Sequence, residues 1–192
     1  SDTTPLFILT TAIFRKKTGE EKFLNSNIEK ALNWMEHQSP ENQIAVTQQP
    51  TTDWRDEQWV YGYGLYVNSL IFMYLKLLGL TKKADNLRRL MEGKFSIPGK
   101  PYYALWSYKD YQSNRFDLLG NSLSIISGIF EEQRSNKIIG WVENKCKSML
   151  KSGELAIGLP PVLLPFIKPN DEEWRPRYEE FNMPGEYHNG GI

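Results

Sequence analysis

The chain alternates between segments that are apolar on nearly every side and segments with one apolar stripe, and this limits the available folds more than any other feature. Segments of the first kind, which predict buried helices, cover residues 5–14, 62–78 and 116–130. Each is followed by an amphipathic segment, at residues 22–37, 82–92 and 133–151. An amphipathic helix covers a buried one from outside, so the pattern predicts three inner–outer helical hairpins in series.

The connections between these segments differ in length in a regular way. Each inner helix reaches its outer partner within about three residues, whereas long loops at about 39–61, at 93–114 and from 152 onward lead away from the outer helices. The long loops should therefore gather at one end, over the N-termini of the inner helices, and loops on a rigid scaffold commonly carry function. Six such hairpins make an (α/α)6 toroid. We therefore predict an all-α fold in which residues 1–192 form about three hairpins of one toroidal domain.

Composition excludes several classes of partner. The 23 basic and 23 acidic residues balance, so no charge excess favours nucleic acid or an anionic membrane. The single cysteine, Cys146, excludes an internal disulfide or a multi-cysteine metal site and fits a reducing compartment, so we predict a cytoplasmic protein. Cys146 falls on the stripe of an outer helix, which predicts an inert core thiol. The abundant aromatic residues predict either a ring-rich core or a ring-lined cleft.

The first long loop contains the strongest candidate for catalysis. It reads Thr-Thr-Asp-Trp-Arg-Asp-Glu-Gln-Trp from 51 to 59, with three carboxylates inside five positions and a tryptophan on each side. A carboxyl group beside an indole in a cleft is desolvated, which raises its pKa and allows it to act as a general acid near neutral pH. The alternative is a solvated charged loop in which Arg55 pairs with its neighbours.

Two further segments carry candidate binding residues. Arg115 and Asp117 open the third inner helix, where they could bind substrate hydroxyls or simply stabilise the helix start. The glycine-rich loop at 184–191 carries Tyr187, His188 and Asn189 and suits a polyhydroxylated ligand. We interpret His188 as a hydroxyl-binding or orienting group, because no second histidine or cysteine stands at metal-ligand spacing. No metal or cofactor is predicted.

Several enzyme classes lack their motifs here. No glycine-rich phosphate loop and no Gly-x-Ser-x-Gly nucleophile motif occurs, which excludes phosphoryl transfer and serine hydrolysis of those types. A sugar epimerase or isomerase on the same toroid usually needs paired histidines, and a zinc-dependent cyclase needs more cysteine and histidine than this chain has. A non-catalytic carbohydrate-binding protein of this fold remains an alternative.

Four segments together, in this order and at comparable gaps, carry a resemblance that spans essentially the whole chain. They cover residues 2–7, 53–68, 115–127 and 184–191. The set resembles the neutral and alkaline invertases of glycoside hydrolase family 100 and the related amylo-α-1,6-glucosidase type of six-hairpin glycosidase. In such enzymes the glycine loop is usually followed by Trp-Pro. The resemblance therefore implies that this chain lacks family segments at both ends.

The resemblance also implies an inverting glycosidase with two carboxylates roughly 6.5–9.5 Å apart. Asp53 matches the position of the acid, with Asp56 second, and the base is expected beyond Ile192; nothing in the resemblance supports Glu179, Glu180 or Glu186 as the base. The residues expected to bind substrate are Asp2, Trp54, Arg115, Tyr187, His188 and Asn189. These 192 residues alone are expected to hydrolyse sugars weakly or not at all.

The chain departs from the plant-type invertases in its first long loop. That group usually has Asp followed by Arg-Arg-Met-Gly and a histidine-bearing segment, whereas here Asp53 is followed by Trp-Arg-Asp-Glu-Gln-Trp, and Tyr-Gly-Tyr-Gly stands at 61–64. We therefore expect an α-glucosidic bond in sucrose, an α-glucan or an oligosaccharide, with the debranching type favoured over sucrose. A homo-oligomer is compatible with the sequence.

Overall fold

The computed structural model describes residues 2–39, 47–48 and 52–191, and within these the fold is mostly helical. The helices are α1 (Thr3–Thr18), α2 (Asn25–His37), α3 (Leu65–Leu77), α4 (Thr81–Phe95), α5 (Leu118–Ser127), α6 (Glu132–Ser152) and the short α7 (Tyr178–Phe181). A 3₁₀ turn covers Tyr187–Asn189. Each of the six predicted helical segments contains an α-helix. The first long loop is described only at residues 39, 47–48 and from 52 onward.

Short antiparallel strands in the long loops correct the all-α prediction. One sheet has the order β1 (Thr47–Gln48), β2 (Gly62–Gly64), β3 (Trp106–Tyr108) and β4 (Tyr111–Gln112), and a second pairs β5 (Phe116–Asp117) with β6 (Leu163–Leu164). Strands of two or three residues are too short for an alternating apolar pattern, so the sequence did not indicate them. Their presence delays the start of α3 to Leu65 and of α5 to Leu118, two or three residues later than predicted.

The three inner helices α1, α3 and α5 lie side by side with α3 in the middle, and they run in the same direction. Ser69 in α3 lies 3.0 Å from Ser124 in α5, measured between the hydroxyl oxygens. Near the other end, Lys76 donates to the carbonyl of Ser127 at 2.9 Å. Asp2 precedes α1 and accepts a hydrogen bond from Tyr66 in the first turn of α3. The N-termini of the inner helices therefore meet at one end, as predicted.

Burial differs among the inner helices. Most residues of α3 are buried, because α1 and α5 flank it and α4 covers it. In contrast, Ile13 and Phe14 of α1 are 43% and 38% exposed, and Ile126 of α5 is 74% exposed. The prediction that all three inner helices are buried on every side is therefore right for α3 and wrong for one face of α1 and of α5. Among the described helices, each of these two has an inner neighbour on one side only.

The long loops have a small apolar core of their own. It is separate from the main core between the helices and consists of Val60, Leu105, Leu163, Ile167 and Tyr178. The strand pair β5–β6 joins this core to the start of α5. Because the loops are packed together, they hold side chains at the N-terminal end of the inner helices in defined positions. None of the described helices has the length and apolar character needed to cross a membrane.

Gly120 tests the packing of α3 against α5. A Cβ atom at this position would meet the Asp117 carboxylate and lie 2.9 Å from Leu65 Cγ. We expect Gly120→Ala to lower the free energy of unfolding by about 1–3 kcal/mol through overpacking. Gly140→Ala in α6 is the matched control, because a Cβ there meets nothing within 4 Å. It should raise stability by about 0.5–1 kcal/mol through helix propensity, as measured by urea denaturation. Equal effects of the two substitutions would contradict this packing.

Candidate functional site

The first long loop and the last loop meet at the N-terminal end of the inner helices. The rings of Trp54 and His188 contact edge to face, with centroids 5.0 Å apart. His188 is in turn stacked on Tyr187, with centroids 3.7 Å apart. Burial raises the pKa of Tyr66, and the nearby carboxylates Asp2 and Asp53 raise it further. Four of the predicted site residues, Trp54, Tyr187, His188 and Asp53, therefore belong to one region, with Asp2 at its border.

Arg55 lies at the centre of this region and is fully buried. Its guanidinium donates a hydrogen bond to Asp117 Oδ1, and its Nη1 lies 3.8 Å from Asp53 Oδ2. The indole of Trp54 covers it, with the guanidinium carbon 4.3 Å from the ring centroid. The backbone N–H of Arg55 also donates to Asp53 Oδ1 at 2.9 Å, so the loop closes tightly around the charge. One cation is thus shared between two carboxylates.

Asp117 supports the site from the start of α5. Its carboxylate accepts hydrogen bonds from the backbone N–H groups of Leu119 and Gly120 at 3.2 and 2.9 Å, which caps the helix. Burial raises the pKa of Asp117 and the neighbouring Asp53 raises it too, while Arg55 opposes both effects. Two buried carboxylates and one shared cation give the cluster a formal charge of −1, so the charge of Asp53 adds to the burial that raises the pKa of Asp117.

Unused hydrogen-bonding capacity is concentrated on the same two loops. Gln58 and Asn182 are fully buried, and within the part of the chain that the structure describes neither amide has a hydrogen-bond partner. The same holds for Trp54 Nε1, for Arg55 Nε and for His188 Nδ1, whereas Arg55 Nη1 has the ion pair with Asp53 at 3.8 Å. Buried polar groups are nearly always paired, because an unpaired one loses its hydration without compensation. A set of unpaired donors and acceptors this dense is typical of a site for a polar ligand.

A cleft of about 510 Å³ opens between the two loops. The lining residues are four carboxylates and two rings, from Asp56, Glu57, Glu180, Phe181, Glu186 and Tyr187. Tyr187 connects the cleft to the buried cluster, because it stacks on His188. The volume lies within the roughly 300–1,000 Å³ of pockets that hold small ligands. Asp56 is exposed to this cleft, whereas the Asp53 side chain is only 1% exposed.

His188 is held in its neutral form by its surroundings. Burial and the positive charge of Arg55 lower its pKa to about 4, although Asp56 partly opposes this. At neutral pH the imidazole therefore carries no charge and offers both a donor and an acceptor nitrogen. Across the described residues, no group of three or more His, Cys, Asp or Glu side chains is arranged to hold a metal ion.

Two of the predicted binding residues are engaged elsewhere. Arg115 forms ion pairs with Asp171 at 2.7 Å and Glu173 at 2.8 Å, and it lies outside the Arg55 cluster. Asn189 accepts from the backbone N–H of Ile167 at 2.6 Å and donates to the carbonyls of Ile167 and Asn182. Its amide therefore secures the last loop to the segment after β6. Direct contact of either residue with substrate stays a prediction.

The sequence did not indicate three of the residues that define the site. Arg55 was noted only as a local partner of its neighbours, yet it reaches Asp117, 62 positions away. Gln58 lies within the loop but gave no signal, because a glutamine beside charged residues usually faces solvent. Asn182 precedes the glycine loop and follows no pattern. Only the tertiary structure shows that both amides are buried.

We expect Arg55→Met to lower the free energy of unfolding by about 3–5 kcal/mol, because two buried carboxylates would lose their cation. Arg115→Met is the matched control: Arg115 also pairs with two carboxylates, but these are 38% and 16% exposed. Its loss should be about 1 kcal/mol or less. Urea denaturation of both variants at neutral pH provides the comparison. Similar losses would contradict the central role of Arg55.

His188 should make stability depend on pH. The folded protein keeps the imidazole neutral down to about pH 4, whereas the unfolded chain protonates it near 6.5. Stability should therefore fall as the pH falls from about 6.5 toward 4, by about 2 kcal/mol. His188→Gln should remove this part of the decline, as measured by urea denaturation at pH 7 and 4.5. His37→Gln, at an exposed histidine, should leave the decline unchanged. An unchanged decline in His188→Gln would contradict the burial of the neutral imidazole.

The chain matches no family model and no curated protein in the comparisons with known proteins. The chemistry of the two loops is therefore the guide to function: they combine a buried Arg55 cluster, unpaired polar side chains and a cleft lined by carboxylates.

Proposed function

We propose that the protein is a glycoside hydrolase that cleaves an α-glucosidic bond with inversion, on a scaffold of the (α/α)6 toroid type. The observation that carries the proposal is the junction of the loops at 52–59 and 182–191. There, a charged cluster that shares one cation lies next to unpaired polar side chains and a cleft with carboxylates from both loops. The parallel inner helices and the loops gathered over their N-termini support the scaffold.

The unpaired polar side chains suit a carbohydrate better than an anion or an apolar ligand. Trp54 and Arg55 offer donors only, whereas the amides of Gln58 and Asn182 and the neutral His188 offer both donors and acceptors. A sugar hydroxyl donates and accepts at once, so a polyhydroxylated ligand can satisfy such a mixed set. The negative cleft would repel an anion, and an apolar ligand would leave the polar atoms unpaired.

In the proposed reaction, one carboxylic acid protonates the glycosidic oxygen as its bond to the anomeric carbon breaks. A second carboxylate removes a proton from the water that attacks that carbon from the opposite face. Asp53 is the proposed acid, because it matches the position of the acid in the resemblance and shares the Arg55 cation with Asp117. Since its side chain is only 1% exposed, the side chains that surround it have to move before the proton can reach substrate.

Asp56 is the second candidate for the acid, because it faces the cleft directly. Glu180 and Glu186 come from the opposite loop and line the same cleft, so the test of the base includes them. Glu179 is exposed and is not among the residues that line the cleft. A base outside residues 1–192, as the resemblance implies, remains part of the proposal.

Non-catalytic carbohydrate binding is the second candidate function, and the burial of Asp53 favours it. A carboxylate that is 1% exposed and paired with a buried arginine is also what a purely structural ion cluster requires. In that case the cleft would hold a sugar without cleaving it. Binding and hydrolysis therefore have to be measured separately.

We expect a chain that carries both the acid and the base to release glucose from isomaltose, and Asp53→Asn to lower the rate by about 10²–10⁴-fold, the usual contribution of general acid–base catalysis. Glucose release from sucrose and isomaltose at neutral pH is the measurement. Asp85→Asn, at an exposed carboxylate of α4, is the matched control and should keep the rate. Circular dichroism of both variants confirms that they fold.

A near-normal rate in Asp53→Asn would remove Asp53 as the acid and direct the test to Asp56→Asn. Hydrolysis of sucrose that depends on Asp53 would indicate an invertase, and hydrolysis of isomaltose alone would indicate a debranching-type α-glucosidase. Binding of either sugar without glucose release would favour the non-catalytic alternative.

A further inference from the structure

We propose that the hairpin β3–β4 forms a second sugar-binding site, which takes a unit of an α-gluco-oligosaccharide beyond the bond to be cleaved. The inference rests on the proposed function for the identity of the sugar, but its evidence comes from a different part of the molecule. It implies that oligosaccharides of three or more glucose units bind more tightly than disaccharides.

The site is a small cavity of about 240 Å³ beside the hairpin. The rings of Trp106 and Tyr111 line it, together with the charged side chains of Arg115, Asp171 and Glu173. Aromatic rings next to fixed polar groups are the combination that binds a pyranose, because its C–H face is apolar and its edge carries hydroxyls. The volume is below the roughly 300–1,000 Å³ of pockets that enclose larger ligands, which suits a single sugar ring.

Tyr111 is exposed in a way that packing does not explain. It is 73% exposed at the end of a two-residue hairpin turn, where Tyr108 is its cross-strand partner. A large ring in solvent contributes little to stability, and here it is presented at the edge of a cavity. Tyr108 is 46% exposed and packs over Gly62, whose added Cβ would meet it at 3.0 Å or less. The hairpin therefore offers one ring to the cavity and uses the other to pack against β2.

The polar groups of the cavity are already fixed in position. Trp106 donates from its indole nitrogen to Glu173 at 3.0 Å, which orients both side chains. Arg115 is held by Asp171 and Glu173, and its Nε is buried without a hydrogen-bond partner among the described residues. A ligand hydroxyl thus meets charged groups that need little further ordering, which lowers the entropic cost of binding.

A row of aromatic rings connects this cavity with the first long loop. Trp59 contacts Tyr61 at 5.8 Å between centroids, and Tyr61 contacts Trp106 at 5.3 Å. Arg175 fixes the row, because it lies 4.5 Å over Trp59 and donates to the Tyr61 hydroxyl. Trp59 stands three positions after Asp56, which lines the cleft between the loops. A linear oligosaccharide that enters this cleft can therefore continue along the rings to the cavity.

The test compares affinities for sugars of increasing length by isothermal titration calorimetry. The probes are a disaccharide and a tetrasaccharide of each of two linkage series: isomaltose with isomaltotetraose, and maltose with maltotetraose. All titrations use the Asp53→Asn protein, so that cleavage of the probe is suppressed. We expect about tenfold tighter binding of one tetrasaccharide than of its disaccharide. Tyr111→Ala should abolish that gain, whereas Tyr111→Phe should retain most of it because the ring remains. Tyr108→Ala is the matched control on the same hairpin and should keep the gain.

Each outcome separates this inference from the proposed function. Equal affinity for both lengths, a gain that survives Tyr111→Ala, or no binding of any probe would overturn the second site, whatever the hydrolysis assay shows. If Tyr108→Ala also abolished the tighter binding of the tetrasaccharide, the fold of the hairpin rather than the Tyr111 ring would be responsible. That result would also overturn the second site. A gain that depends on Tyr111, in a protein that releases no glucose, would support the site and overturn the glycosidase.

Discussion

The buried guanidinium of Arg55 connects the parts of the structure on which the site depends. It joins the loop at 52–59 to the first turn of α5 through Asp117, which also caps that helix. Because a buried cation is stable only with nearby negative charge, the loop has to close around Arg55 with Asp53 and Asp117 in place. Trp54 lies over the Arg55 guanidinium, and the Trp54 indole in turn contacts His188 of the last loop. One interaction thus sets the geometry of both loops.

The helical scaffold sets where the loops meet, and the loops carry the side chains of the candidate site. The parallel inner helices bring their N-termini to one end, and the small core around Tyr178 and Leu163 holds the long loops there. The buried Arg55 cluster lies on the inner side of these loops, and the cleft and the ring row lie on the outer side. The proposed sugar ligand fits this arrangement, because a sugar needs mixed donors and acceptors near the bond to be cleaved and ring faces farther along.

The helices were predictable because their signals are long and periodic. Residues 82–92 and 133–151 show one stripe, and α4 and α6 cover these ranges with only a few more residues. The apolar segment at 116–130 gave a helix that begins two residues late, since Phe116 and Asp117 pair with β6 instead. Three residues of the candidate site, Asp53, Trp54 and His188, were also singled out from the sequence, because they lie in loops with several charged, aromatic or glycine residues. The burial of Gln58 and Asn182 was not predicted, because a polar side chain in a loop carries no local signal for burial.

The sequence by itself determined which segments are helical and which ends of the inner helices the long loops connect, because each follows from local periodicity and loop length. Only the tertiary structure decided that Arg55 pairs with Asp117, that Asp53 is buried while Asp56 faces the cleft, and that Arg115 and Asn189 bind protein groups. Charge pairing and burial depend on which distant segments touch. A carboxylate in a loop has the same local signature whether it faces solvent or lies beneath an indole, so local pattern could not distinguish the two.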